Sequence, residues 1–91
     1  MEISDIILLI EFNELERKIV ELEHILFEND KANVRRKIDT YELGLMMKQY
    51  DVMYEYKQII DERLERKGIP INQYSLETLQ EMLPKTASPV G

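Results

Sequence analysis

The sequence predicts an all-α protein: an antiparallel helical hairpin with a short third helix. Three observations support this class. Helix-forming residues such as Glu, Lys, Leu and Ile dominate, whereas Gly and Pro number only three each. Two long segments carry apolar residues at spacings of three and four, which is the period of a helix packed on a core. The second segment carries two such stripes and needs two partners, so we expect an oligomeric helical bundle.

The length of the chain limits it to a single small domain. Ninety-one residues without cysteine cannot be stabilised by disulfides, and self-association is the remaining way to enlarge the core. We expect one helical domain over residues 1–83 and a flexible tail over 84–91. The three helices are predicted at about residues 5–28, 40–67 and 76–83.

The first predicted helix has the most regular apolar pattern in the chain. Ser4 or Asp5 is expected to cap its start, because short polar side chains accept hydrogen bonds from the first free amides. A heptad seam of the coiled-coil kind then follows at alternating steps of four and three. The seam consists of Leu8, Phe12, Leu15, Ile19, Leu22 and Leu26.

Two starting points are open for the second helix. Turn-forming residues at positions 29–33 separate the helices, and apolar residues at 34 and 38 would allow a start near residue 31. Asp39 followed by Glu42 fits a capping arrangement and favours a start near residue 40. Gly68 then predicts a left-handed cap at the end of this helix, and Pro70 prevents its continuation.

The two stripes of the second helix define its two expected contacts. The first stripe consists of Leu43, Met46, Tyr50, Met53, Lys57, Ile60 and Leu64. The second stripe consists of Tyr41, Leu45, Val52, Tyr56 and Ile59. Lys57 interrupts the first stripe, and we expect it to pair with acidic residues of the first helix.

The third helix is predicted from a capping residue and a short apolar side. Ser75 can cap its start, and Tyr74 can pack on Leu79 as a hydrophobic staple. Pro84 ends the helix. Two turns of this kind are long enough to fold back on the hairpin.

Composition and motifs argue against several function classes. The net charge is −6 and the first helix is acidic, so direct binding to nucleic acid is not expected. No apolar run approaches a membrane span and no secretory signal is present, so we expect a cytoplasmic protein. Glu21 and His24 have di-iron spacing but face away from the seam, and the lone histidine has no catalytic partner. We therefore expect no enzyme activity, no metal and no cofactor.

The sequence predicts a non-catalytic protein-binding module, a small self-associating adaptor or inhibitor. Methionine and aromatic residues are enriched at interfaces, and the candidate partner interface is Met47, Val52, Tyr54, Tyr56 and Ile59. Two alternatives stay open. An acidic mimic of nucleic acid would use the row Glu14, Glu21 and Glu28. An oligomer binding a small ligand between subunits would use Gln49, Tyr56 and Arg63.

One part of the second helix resembles a known group of proteins. The pattern runs Leu45-Met46-x-x-Gln49-Tyr50-x-x-Met53-x-x-Tyr56-x-x-Ile59-Ile60-x-x-Arg63-Leu64. It is similar to a recurring pattern in small helical-hairpin proteins of tailed-phage genomes. The resemblance implies a phage origin, an accessory or host-directed role, and a location in the host cytoplasm.

Overall fold

Three α-helices make up the described part of this protein. The computed structural model describes residues 1–27 and 38–84. Helix α1 spans Ile3–Phe27, α2 spans Thr40–Arg66 and α3 spans Leu76–Met82. Helix α1 packs along α2 as a hairpin, and α3 packs on α1. The all-α class and the predicted hairpin with a short third helix are confirmed. The connector, Glu28 and the predicted tail beyond Pro84 lie outside the described residues.

The contact between α1 and α2 is formed by the predicted seam of α1 and the predicted first stripe of α2. Leu8, Phe12, Ile19 and Leu26 of the seam are buried, and the first stripe of α2 is half-buried to fully buried along its whole length. Two side-chain contacts show that the helices run antiparallel. Lys67 reaches Asp5 near one end of the hairpin, and Tyr50 reaches Glu23 near the other.

Local side-chain chemistry sets both ends of α2. The Asp39 side chain accepts a hydrogen bond of 2.7 Å from the amide of Glu42, as the capping pattern predicted. At the other end Gly68 adopts a φ of 71°. The amides of Gly68 and Ile69 donate back to the carbonyls of Glu65 and Leu64, both at 3.0 Å. This pair of hydrogen bonds is a Schellman motif, and it ends the helix.

The two glycines of α2 and its cap are expected to respond oppositely to alanine. Gly68→Ala should lower the free energy of unfolding by about 1–2 kcal/mol, because a Cβ is disfavoured in the left-handed region. Gly44→Ala should raise it by up to about 1 kcal/mol, because alanine is the better helix former. Open space surrounds both positions, so no clash obscures either effect. Urea unfolding of the two variants measures both values, and equal effects of one sign would contradict this account.

The core lies where α3 and the start of α1 meet the end of α2. Leu79 of α3 and Ile60 and Leu64 of α2 have no exposed surface. They pack with a buried group on α1 that comprises Ile6, Leu8, Leu9, Ile10 and Phe12. Ser75 caps α3 by accepting from the amide of Thr78 at 3.2 Å, and Tyr74 packs against the same cluster. The predicted cap of α3 is therefore present, and Tyr74 packs on the cluster that contains Leu79, its predicted staple partner.

The start of α1 differs from the prediction. The helix begins at Ile3, and the carbonyl of Glu2 accepts from the amides of Asp5 and Ile6. Ser4 and Asp5 therefore both lie in the first turn, and neither is the capping residue. The Asp5 carboxylate accepts a hydrogen bond of 2.7 Å from Lys67 Nζ, which lowers the pKa of Asp5 below its ordinary value. This ion pair ties the start of α1 to the end of α2.

Candidate functional site

One side of α2 faces away from the hairpin and is strongly apolar. It carries the whole second stripe, and we call this set the outer face: Tyr41, Leu45, Val52, Tyr56 and Ile59. Because each residue turns a helix by about 100°, this stripe is rotated about 120° from the stripe that packs on α1. Exposure reaches 78% at Tyr41 and 64% at Val52. Among the described residues, all five side chains are exposed, and the Tyr56 hydroxyl at the edge of the face donates to Glu11 of α1.

The predicted partner interface is divided between two sides of α2. Val52, Tyr56 and Ile59 lie on the outer face, whereas Met47 and Tyr54 are rotated about 140–160° from its centre. All five side chains are exposed. The structure therefore does not bring the whole set together. Grouping the residues by helical rotation would have revealed this division from the sequence.

Met47 and Tyr54 belong to a second exposed cluster that includes residues of α1. The Phe27 and Tyr50 rings meet edge-on with their centres 5.4 Å apart, and the centres of the Tyr50 and Tyr54 rings are 6.1 Å apart. Phe27 is 52% exposed. Val20 lies on the same flank of α1 as Phe27, two helical turns earlier. We call this cluster the aromatic side, and its members are Val20, Phe27, Met47, Tyr50 and Tyr54.

Hydrogen bonding and a cation fix the orientation of the aromatic side. The Tyr50 hydroxyl donates to a carboxylate oxygen of Glu23 at 3.0 Å, which raises the pKa of Tyr50. Lys57 places its ammonium group 5.7 Å from the centre of the Phe12 ring and 5.8 Å from that of Tyr54. The sequence predicts that Lys57 pairs with acidic residues of α1. It makes cation–π contacts instead, in which the ammonium group is attracted to the faces of the two rings.

The third side of the hairpin holds a shallow groove between α1 and α2. Its volume is about 210 Å³, and its lining residues are Lys18, Glu21, Leu22, Ile25, Gln49 and Met53. The predicted ligand residues Gln49, Tyr56 and Arg63 follow one another every seven residues, so their row runs from the groove at Gln49 onto the outer face at Tyr56 and to Arg63 beside it. Gln49 lines the groove, Tyr56 donates a hydrogen bond to Glu11, and Arg63 is exposed farther along.

The predicted acidic row is only partly described. Glu14 is half-buried and Glu21 is exposed, while Glu28 lies outside the described residues. Glu21 lines the groove together with Lys18, so a cation stands beside the carboxylate. A nucleic-acid mimic needs an uninterrupted negative surface, and this arrangement does not favour that function.

The Glu21 and His24 pair lies on the solvent-exposed side of α1. Among the described residues, no group of three or more histidine and carboxylate side chains is placed to share a metal ion. Likewise, none of the described helices combines the length and the apolar character needed to cross a bilayer.

The two helices that form all three sides match a known family. The model of the Sequestin family matches residues 8–66, more than half of the chain. The chain belongs to the Sequestin family. The Sequestin match covers most of α1 and all of α2 and ends before α3. The name Sequestin points to a protein that binds or sequesters rather than one that catalyses. Comparison with curated proteins and with solved structures gave no match.

Proposed function

We propose that this protein acts by sequestration, holding its target in a stoichiometric complex without changing it chemically. The family description and the exposed aromatic and apolar surfaces of the hairpin support this function. We also propose that the protein works as a homo-oligomer. An oligomer multiplies the binding surface that a chain of this size can offer.

The aromatic side is the observation that favours a protein target. Tyr, Phe and Met are enriched at protein interfaces, and Tyr is among the residues that most often dominate the binding energy there. The Tyr50 ring already packs edge-on against Phe27, and its hydroxyl donates a hydrogen bond to Glu23. The surface is therefore ordered before a partner arrives, which reduces the entropic cost of binding.

Charge substitutions on the aromatic side test this target class. Tyr54→Glu and Met47→Glu should each weaken binding of a captured protein partner by at least about tenfold, the loss typical of residues central to an interface. The matched control is Met82→Glu, because Met82 of α3 is similarly exposed but lies off the hairpin contact. Titration calorimetry gives both the affinity and the stoichiometry. A partner that leaves the complex with a changed mass would contradict sequestration, and unchanged affinities would contradict this surface.

The flank with Gln49, Tyr56 and Arg63 favours a second candidate, sequestration of a small ligand between subunits. A guanidinium group, a phenol ring and an amide can together hold an anionic group and a planar ring. The groove beside Gln49 offers room for part of such a ligand. A nucleotide is the simplest compound that combines these features.

A thermal-shift series with nucleotides and other anionic metabolites tests this candidate. A binding compound should raise the melting temperature in proportion to the logarithm of its concentration. Arg63→Met should abolish the shift, whereas Arg66→Met, one turn away on the same helix, should retain it. No shift with any compound, or equal shifts in both variants, would contradict this candidate. Recovery of the compound unchanged after long incubation would distinguish sequestration from turnover.

We further propose, from the resemblance in α2, that the protein is phage-encoded and acts on a component of the host cell as an inhibitor. Sequencing the DNA around the gene tests the origin. Genes for phage structural proteins on both sides are expected, and a neighbourhood of cellular genes would contradict the proposal.

A further inference from the structure

The outer face of α2 carries more exposed apolar side chains than ordinary helix surface. Its first and last members, Tyr41 and Ile59, are separated by about 27 Å along the helix at 1.5 Å per residue. Between Leu45 and Val52 the row is interrupted by Lys48. Single exposed apolar side chains are common, but several on one face of a helix usually mark an interface. The aromatic side lies on another flank of α2, so the outer face can be occupied independently.

The apolar residues at the centre of the outer face are arranged symmetrically. Val52 is the midpoint, and Leu45 and Ile59 lie seven residues before and after it. Seven residues are close to two helical turns, so all three side chains point the same way. A second α2 running in the opposite direction would therefore present the same apolar row in matching positions.

The charged residues beside this row are complementary about the same midpoint. Lys48 lies four residues before Val52, and Glu55 lies three residues after it. Reversing the helix about Val52 brings each Lys48 opposite a Glu55 of the other copy. The two residues share one flank of α2, as a two-fold axis requires. Within one helix they are about 10 Å apart, too far to form a pair themselves.

Residues at the two ends of the outer face are also complementary when the helix is reversed about Val52. Tyr41 and Arg63 each lie eleven residues from Val52, on opposite sides of it. Reversal places the Arg63 guanidinium of one copy near the Tyr41 ring of the other, where a cation–π contact can form. The pattern thus matches apolar with apolar, cation with anion, and cation with ring.

We propose that the outer face binds a second copy of this chain as an antiparallel dimer whose two-fold axis passes at Val52. Val52 then meets Val52 of the second copy, and Leu45 meets its Ile59. The Lys48 and Glu55 contact occurs twice, once on each side of the axis. This proposal goes beyond the sequestration function, because it assigns an occupant and a register to the outer face. The protein-target candidate uses none of its residues, and the small-ligand candidate uses only Tyr56 of this face together with Arg63 beside it.

The absence of cysteine from the chain allows a direct test of the register. Val52→Cys should form a disulfide-linked dimer on mild oxidation, because the two thiols meet at the axis. Leu45→Cys and Ile59→Cys should each stay unlinked alone, because their own copies lie about 21 Å apart along the helix, beyond the reach of a disulfide. An oxidised mixture of those two variants should give a linked heterodimer. Linking of Leu45→Cys to itself, or no linking of Val52→Cys, would overturn the register.

Charge reversal tests the same proposal without cysteine chemistry. Lys48→Glu should weaken the dimer by about tenfold, because two attractive contacts become repulsive. Lys48→Glu combined with Glu55→Lys should restore it, which only pairing between copies can explain. Arg17→Glu on the far side of α1 is the control and should leave the dimer unchanged. Light scattering over a concentration series gives the mass of each variant.

The outcomes of these experiments separate this proposal from the proposed function. A protein that is monomeric at every concentration overturns the dimer and with it the proposed homo-oligomer. It does not affect partner binding through Tyr54 and Met47, which is measured separately. The dimer is also overturned if a foreign protein occupies the outer face in place of the second copy and prevents the disulfide linking of Val52→Cys. Loss of partner binding by Tyr54→Glu with the dimer intact affects only the function.

Discussion

Leu64→Ala is expected to lower the free energy of unfolding by about 3–4 kcal/mol, among the largest effects of any single truncation in this chain. Leu64 has no exposed surface and sits where α1, α2 and α3 meet. Its carbonyl also accepts the hydrogen bond from the Ile69 amide that completes the cap of α2. Both its side chain and its backbone are therefore fixed in place. The surroundings cannot collapse easily into the space that the missing methyl groups leave.

The size of this effect is large relative to the whole protein. A domain of 91 residues has a total stability of roughly 5–14 kcal/mol. Urea unfolding followed by circular dichroism measures the loss. Leu45→Ala is the matched control, because Leu45 is 44% exposed on the outer face of the same helix. Any loss in that control should depend on protein concentration, and equal losses in both variants at high dilution would contradict the assignment of the core.

Leu79→Ala is expected to release α3 from the hairpin, at a cost of about 2–4 kcal/mol. Leu79 is the only residue of α3 that is fully buried, and the helix has just seven residues. A helix this short is not stable in water without its packing. The substitution should therefore unfold α3 while α1 and α2 stay paired.

Hydrogen exchange locates this effect along the chain. Amide protection should disappear over residues 76–82 and persist in the centre of α2. Met82→Ala is the control, since Met82 is exposed on the same helix and its truncation should leave protection unchanged. Simultaneous loss of protection in all three helices would show that α3 is an inseparable part of one cooperative unit.

Features that depend on neighbouring residues were predictable from the sequence. The caps at Asp39, Gly68 and Ser75 need only a side chain and an amide a few residues away, and all three are present. The burial of the first stripe of α2 was predictable for the same reason, because helical periodicity fixes which residues share a face.

Features that join distant residues were not predictable in this way. Asp5 fits a cap by type, yet it pairs with Lys67, which is far away in the chain and adjacent only after folding. Lys57 fits an ion pair by charge, but its ammonium group stands over the aromatic rings of Phe12 and Tyr54 instead. The division of the predicted interface was within reach of the sequence, because Met47 and Val52 differ in helical rotation.

The docking of α3 on the start of α1 has a consequence for aggregation. Ile6, Leu9 and Ile10 lie in α1, whereas Leu79 of α3, which completes the cluster around them, comes from a distant part of the chain. Whenever α3 separates from the hairpin, an apolar patch at the start of α1 is open to water and to chaperones. A state in which α1 and α2 stay paired but α3 is released is therefore prone to aggregate.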